Sequence, residues 1–197
     1  MKNGLLNKIK KYWLELFFGF LILDMFFCAI GFLHKEIPIE YHGLKQAAIT
    51  WEDESLSAYL EKIWKIPKCT IIMTGSELNK ELLDEKALEI LKSMELKCDQ
   101  TALIDESKNL LEALWINGKF VDGGVYDQAP YPFGSYVNQH YVCVEPQAFG
   151  SGKIYIDDSL CSKQSSGLNI VVMDNENHCL LDSVNYQYVN GKIIISR

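Results

Sequence analysis

Residues 166–196 constrain the fold more than any other stretch of this chain. Leu168 to Met173 is a nearly continuous apolar run rich in β-branched side chains. That is the pattern of a strand covered on both faces, which belongs at the centre of a sheet. Asp174-Asn-Glu-Asn-His follows, a cluster of short polar side chains that hydrogen-bond their own backbone and reverse the chain. The reversal leads into a second apolar strand, Cys179 to Val184. Asn190-Gly191 is the strongest two-residue hairpin signal present, because both central positions of a type I′ turn need positive φ; it joins Tyr186–Val189 to Lys192–Ser196. Upstream, Ile154 and Ile156 alternate with Lys153, Tyr155 and Asp157, the period of a half-buried strand. Such a chain ends in sheet.

The other end is different in kind. Tyr12 to Leu33 is apolar and long enough to span a bilayer as a helix, interrupted only by Glu15 and Asp24. Lys2, Lys8, Lys10 and Lys11 precede it, so the positive-inside rule leaves residues 1–11 as a cytoplasmic tail and everything after about residue 36 outside. A cleaved signal peptide shares the basic start, but the apolar stretch exceeds a usual h-region and no small-x-small site follows before Glu36. A pilin-like processing site at Gly19 is the remote alternative. Asp24 inside the span is a protonated or snorkelling acid, or a contact for a membrane partner. The expected organisation is therefore tail 1–11, transmembrane anchor 12–33, linker 34–50 and an extracytoplasmic domain 51–197. At 197 residues, 48% apolar and 23% charged, the chain has room for one globular domain behind that anchor. The formal net charge of −7 excludes nucleic acid as a natural partner.

Within the domain, Trp51 to Trp64 has Leu56, Tyr59, Leu60, Ile63 and Trp64 at helical spacing, with Asp53 or Ser55 as cap, and Pro67 stops it. Thr70 to Met73 predicts a buried strand. Leu82 to Leu96 predicts a second helix with Leu83, Ala87, Leu88, Ile90 and Leu91 inward. Ser107 to Ala113 predicts a third helix, and Leu114 to Val121 a strand, a turn at Asn117-Gly118 and a strand. The fold class is α/β, with mixed or antiparallel β-sheets flanked by two or three helices.

Two passages carry a family resemblance. One is Gly152-Lys-Ile-Tyr-Ile-Asp-Asp, Ser166-Gly-Leu-Asn-Ile-Val-Val-Met-Asp and Leu180-Leu-Asp-Ser-Val-Asn-Tyr; the other runs from Ser57 through Ile66-Pro-Lys-Cys-Thr-Ile-Ile-Met-Thr-Gly to the helix Asp84–Met94. Together they resemble the ILEI or GG-type domain, named after a secreted, interleukin-like inducer of epithelial-mesenchymal transition. The family usually places the hairpin block before the helix-strand block, and here the order is reversed, as in a circular permutant. Similar domains occur in the stem of a vertebrate O-mannose N-acetylglucosaminyltransferase, where the stem binds sugar, and on bacterial membrane glycosyltransferases. The resemblance implies a binding rather than a catalytic role, an ILEI-like sandwich, and a glycan or a glycan-modifying protein as partner.

The candidate site lies between Asp122 and Gly150, the least regular part, with Gly123-Gly124, Pro130, Pro132, Gly134 and Pro146. Tyr126, Tyr131, Phe133, Tyr136 and Tyr141 are interleaved there with Asp127, Gln128, Asn138, Gln139 and His140. A pyranose offers an apolar C–H face and a rim of hydroxyls, so aromatic rings beside amides and carboxylates are what its recognition needs. The candidate ligand-binding residues are Tyr126, Asp127, Tyr131, Tyr136, Asn138, Gln139 and His140; the bland alternative is that the aromatics pin a long loop onto the sheets.

Other chemistry is thinly supported. Five cysteines lie outside the anchor, Cys69, Cys98, Cys143, Cys161 and Cys179, which in an oxidising exterior form one or two disulfides and otherwise stay thiols. His140-x-x-Cys143 and His178-Cys179 are the tight clusters, and neither is a paired Cys-x-x-Cys knuckle, so no metal or other cofactor is expected. Asp157-Asp158 sits at a predicted turn. No glycine elbow or phosphate loop points to an enzyme. The expectation is a single-pass, cell-surface protein with a non-catalytic, carbohydrate-binding domain; the alternatives are a structural or assembly subunit of a membrane complex and an enzyme acting on envelope sugars.

Overall fold

The computed structural model describes residues 45–47, 50–76, 78, 80–96, 110–126, 131–145, 152–163 and 166–197. His42–Arg197 form one compact unit. Its elements are β1 (Lys45–Gln46), α1 (Leu56–Trp64), β2 (Cys69–Ser76), α2 (Glu85–Ser93), β3 (Leu110–Ile116), β4 (Lys119–Tyr126), β5 (Phe133–Val137), β6 (His140–Glu145), β7 (Lys153–Ile156), β8 (Ser159–Leu160), β9 (Gly167–Asp174), β10 (Cys179–Val189) and β11 (Lys192–Ser196). Seven strands form one sheet in the order β1-β10-β9-β2-β3-β4, with β11 also paired to β10, and four form a second in the order β5-β6-β7-β8. Among the described residues only the β1–β10 pair is parallel.

The large sheet is the middle layer of three. Strand side chains alternate between faces, so each central strand feeds two cores. Ile71 and Met73 of β2, Leu111, Ala113 and Trp115 of β3 and Ile170 and Val172 of β9 pack with Leu60, Ile63, Leu88 and Leu91 of the helices. Ile72, Leu114, Val171 and Met173 face the other way, against Val137, Val142, Val144, Ile154 and Ile156 of the small sheet. This double coverage is why Leu168 to Met173 carries no polar alternation: β9 is buried along almost its whole length, between β10 and β2.

The helices are shorter than the sequence suggests. Residues 51–55 remain outside α1, because Ser55 caps it by accepting from Ala58 N. Trp51 instead donates its indole N–H to Leu181 O and packs edge-on against Tyr59. Asp84 caps α2 through Ala87 N, and Ile90 is only half-buried. The expected third helix is corrected: Leu110–Ala113 belong to β3, whose backbone is paired on both sides, with β2 and β4. The irregular segment is largely strand as well. Gly123-Gly124 lies inside β4, opposite Ala113 and Glu112. Gly123 is needed there, since its φ is +120° and a Cβ would stand 2.2 Å from the Glu112 carbonyl oxygen. Lys45–Gln46 pair with Cys179–Leu180, so the sheet takes in residues upstream of the boundary expected at 51. Both Asn-Gly turns form, with φ of 53° and 72° at Asn117-Gly118 and 51° and 79° at Asn190-Gly191. Among the described residues no helix is long and apolar enough to cross a membrane; the expected span 12–33 lies outside them, as do Cys28 and Cys98.

One row of the large sheet is polar though buried. Asn185, Asn169, Thr74 and Glu112 are cross-strand neighbours on the face toward the small sheet. Asn185 Nδ2 donates to Asn169 Oδ1 and Ser166 O. Glu112 is 1% exposed and neither carboxyl oxygen has a partner. Burial, with the negative charge of Asp122 second, pushes it up to about 8.

Candidate functional site

The small sheet turns Val142, Val144, Ile154 and Ile156 inward, so the alternate residues form its outer face. In register across it stand Tyr136 and Tyr141, then Gly134, Cys143 and Tyr155, then Glu145 and Lys153. Tyr136 is 75% exposed and Tyr141 38%, with ring centroids 5.0 Å apart. Gly134 makes room for this: a Cβ there would lie 2.3 Å from the Tyr141 hydroxyl, so the phenol ring lies across the bare strand backbone. Tyr141, Cys143, Glu145, Tyr155 and Asp158 line an open depression of about 270 Å³ beside it. Burial pushes the Cys143 thiol up, helped by the charges of Glu145 and Asp158 and more weakly by Glu112. A thiol held neutral in this way is the opposite of an activated nucleophile.

The back of the face is latched at its turns. The β5–β6 turn holds Asn138 at positive φ, and its side chain donates to Asn175 O in the β9–β10 turn. Asn175 in turn accepts from Thr70 Oγ1 and donates to Asn117 Oδ1. His140 Nδ1 bonds the Asp157 carboxylate, which also accepts from Tyr141 N, and His140 Nε2 lies 3.1 Å from His178 Nδ1. Asp157 therefore fixes both the imidazole and the strand that carries Tyr141.

The seven residues singled out from sequence separate accordingly. Tyr136 is on the outer face, Tyr131 stands 93% exposed just before β5, and Gln139 is exposed in the hairpin turn. Asn138, itself exposed, donates its amide N–H to the turn latch, and both ring nitrogens of His140 are engaged there. Tyr126 ends β4 in the large sheet, where burial and then the charges of Glu112 and Asp122 raise its hydroxyl. Asp127 lies outside the described residues. Phe133 alone behaves as a pin, packed on the inter-sheet core. Tyr155, Glu145 and Asp158 went unselected although the signal existed: Tyr155 sits between two inward isoleucines, and Asp158 beside the turn aspartate.

No protein-family model matches this chain, and neither does any curated protein or solved structure. The site must be read from its own chemistry. Among the described residues no group of three His, Cys, Asp or Glu side chains is placed to hold a metal ion. Cys69, Cys143, Cys161 and Cys179 carry free thiols, and burial pushes Cys69 up to about 11. Both ring nitrogens of His140 are engaged, Nδ1 by Asp157 and Nε2 by His178 rather than by Cys143.

Proposed function

We propose that this chain is a membrane-anchored, extracytoplasmic binding protein that holds carbohydrate on the outer face of its small sheet, without catalysis. One observation carries the reading: the exposed Tyr136–Tyr141 pair laid across Gly134, next to a depression rimmed by carboxylates. Flat aromatic surface matches the C–H face of a pyranose, and carboxylates at its edge accept from ring hydroxyls. The family resemblance points the same way. Its two passages are neighbours in space, since β2 and β9 pair directly at the sheet centre despite their permuted order. The anchor at 12–33 would put the face at the cell surface, open to a glycan or a glycan-bearing partner.

A glycan array probed with the full-length chain tests this, followed by calorimetry on hits. Tyr136→Ala removes a largely solvent-facing ring and Tyr141→Ala one that lies on the sheet surface outside both cores, so both are expected to fold normally and to weaken binding by about tenfold or more. Unchanged affinity in both variants would sink the reading.

A second reading is favoured by the β10–β11 ribbon, where Tyr188, Val189, Ile193 and Ile194 are each at least 37% exposed. An apolar edge of this kind suits an assembly subunit. Ile193→Lys with Ile194→Lys would disrupt a complex formed there and leave glycan binding untouched.

A further inference from the structure

We propose that the saccharide taken by this face is a cationic amino sugar, whose ammonium group enters the depression between Tyr141 and Tyr155 and is neutralised by Asp158 and Glu145. The inference rests on the carbohydrate reading and adds to it the charge of the ligand.

The first observation is an imbalance. Among the described residues neither Glu145 nor Asp158 makes an ion pair or side-chain hydrogen bond. Their neighbour Asp157 shows the contrast, with both oxygens occupied by His140 and Tyr141 N. Carboxylates that orient neutral hydroxyls are commonly fixed by cations or backbone N–H groups, as Asp157 is. Two left without donors around one depression are short of a counter-charge and of N–H groups. Their field reaches the floor, where both oppose ionisation of Cys143.

The second observation is the walls. Tyr141 and Tyr155 flank the same depression, and the negative faces of phenol rings attract a cation. An ammonium on a sugar ring meets each demand: three N–H donors and a positive charge for the carboxylates, with the attached ring's C–H face left for Tyr136. Among the described residues, the cation opposite Glu145 in the β6–β7 register is Lys153. It makes no ion pair with Glu145 and does not line the depression. A neutral or anionic sugar would leave the two carboxylates uncompensated or repel them.

The test is calorimetry on the full-length protein in detergent at about pH 6, where the amine is charged, with an oligomer of glucosamine, its fully N-acetylated counterpart and a glucose oligomer. The glucosamine oligomer is expected to bind about tenfold tighter than either neutral one, with the margin shrinking several-fold as salt is raised. Glu145→Gln combined with Asp158→Asn should erase the margin by lowering the glucosamine oligomer to the affinity of the neutral ones. Lys153→Ala should widen it. Far-ultraviolet circular dichroism establishes that each variant is folded. Equal affinity for all three oligomers, or a margin that survives the double variant, overturns the charge preference and leaves the carbohydrate reading standing. Binding of none overturns both.

Discussion

Glu112 is the residue at which sequence and environment are most at odds: an ionisable side chain in a sheet interior with no partner for either oxygen. Folded, it keeps its proton up to about 8, whereas an unfolded glutamate loses it near 4.5. The folded state therefore binds the extra proton across that window, and stability must fall as pH rises from about 4.5 to about 8. Glu112→Gln removes the titration. Its urea midpoint should vary less with pH, and at about pH 8 its unfolding free energy should exceed the parent's by a few kcal/mol, matching it near pH 4.5. Parallel pH profiles for parent and variant would contradict a neutral Glu112. The composition of the strand gave no warning, because Leu-Leu-Glu-Ala-Leu-Trp-Ile reads equally well as an amphipathic helix with one solvated acid.

At the scale of the element, that same ambiguity explains the helix expected over 107–113. A short apolar run cannot be told from a buried helix segment by periodicity, and what made 110–113 a strand was pairing with β2 on one side and β4 on the other, both remote choices. Where local chemistry suffices, the sequence was enough: the two Asn-Gly turns, the Ser55 cap and the central β9 are legible residue by residue. The candidate site was half legible. Alternation within β6 separates Tyr141 and Cys143 from Val142 and Val144, but nothing local says that Tyr136, Gly134, Tyr155 and Glu145 converge, since that depends on the register of three strands. The two close-approach glycines yield a contrast. At Gly134 an added methyl meets the far end of a movable Tyr141 ring, whereas at Gly123 it meets fixed backbone at a φ that L-residues avoid. Gly134→Ala should cost less than about 1 kcal/mol in stability yet weaken glycan binding as much as Tyr141→Ala, by swinging the ring off the strand. Retained affinity would show that the ring's placement does not matter.

For the whole molecule, the turns at one end act as a common fastening. Asn175 joins the β3–β4 turn through Asn117, β2 through Thr70, the α1–β2 link through Lys68 O and the small sheet through Asn138. Its side chain is buried, so Asn175→Ala strands Thr70 Oγ1 in β2 and Asn117 Oδ1 in the β3–β4 turn and is expected to lower unfolding free energy by about 1–3 kcal/mol, measured by urea denaturation. A loss within error would mean that water replaces the amide without cost. The small sheet has a further dependence. Among the described residues it carries no helix layer, and part of its core is Ile72, Leu114, Val171 and Met173 of the large sheet. It cannot persist once the large sheet opens. Any molecule that occupies its outer face binds only the intact domain, and so must raise the melting temperature of every element together, by mass action worth about 2.7 kcal/mol at a hundredfold excess over its dissociation constant. A thermal-shift screen of saccharides thus reads this one face through the unfolding of the whole domain.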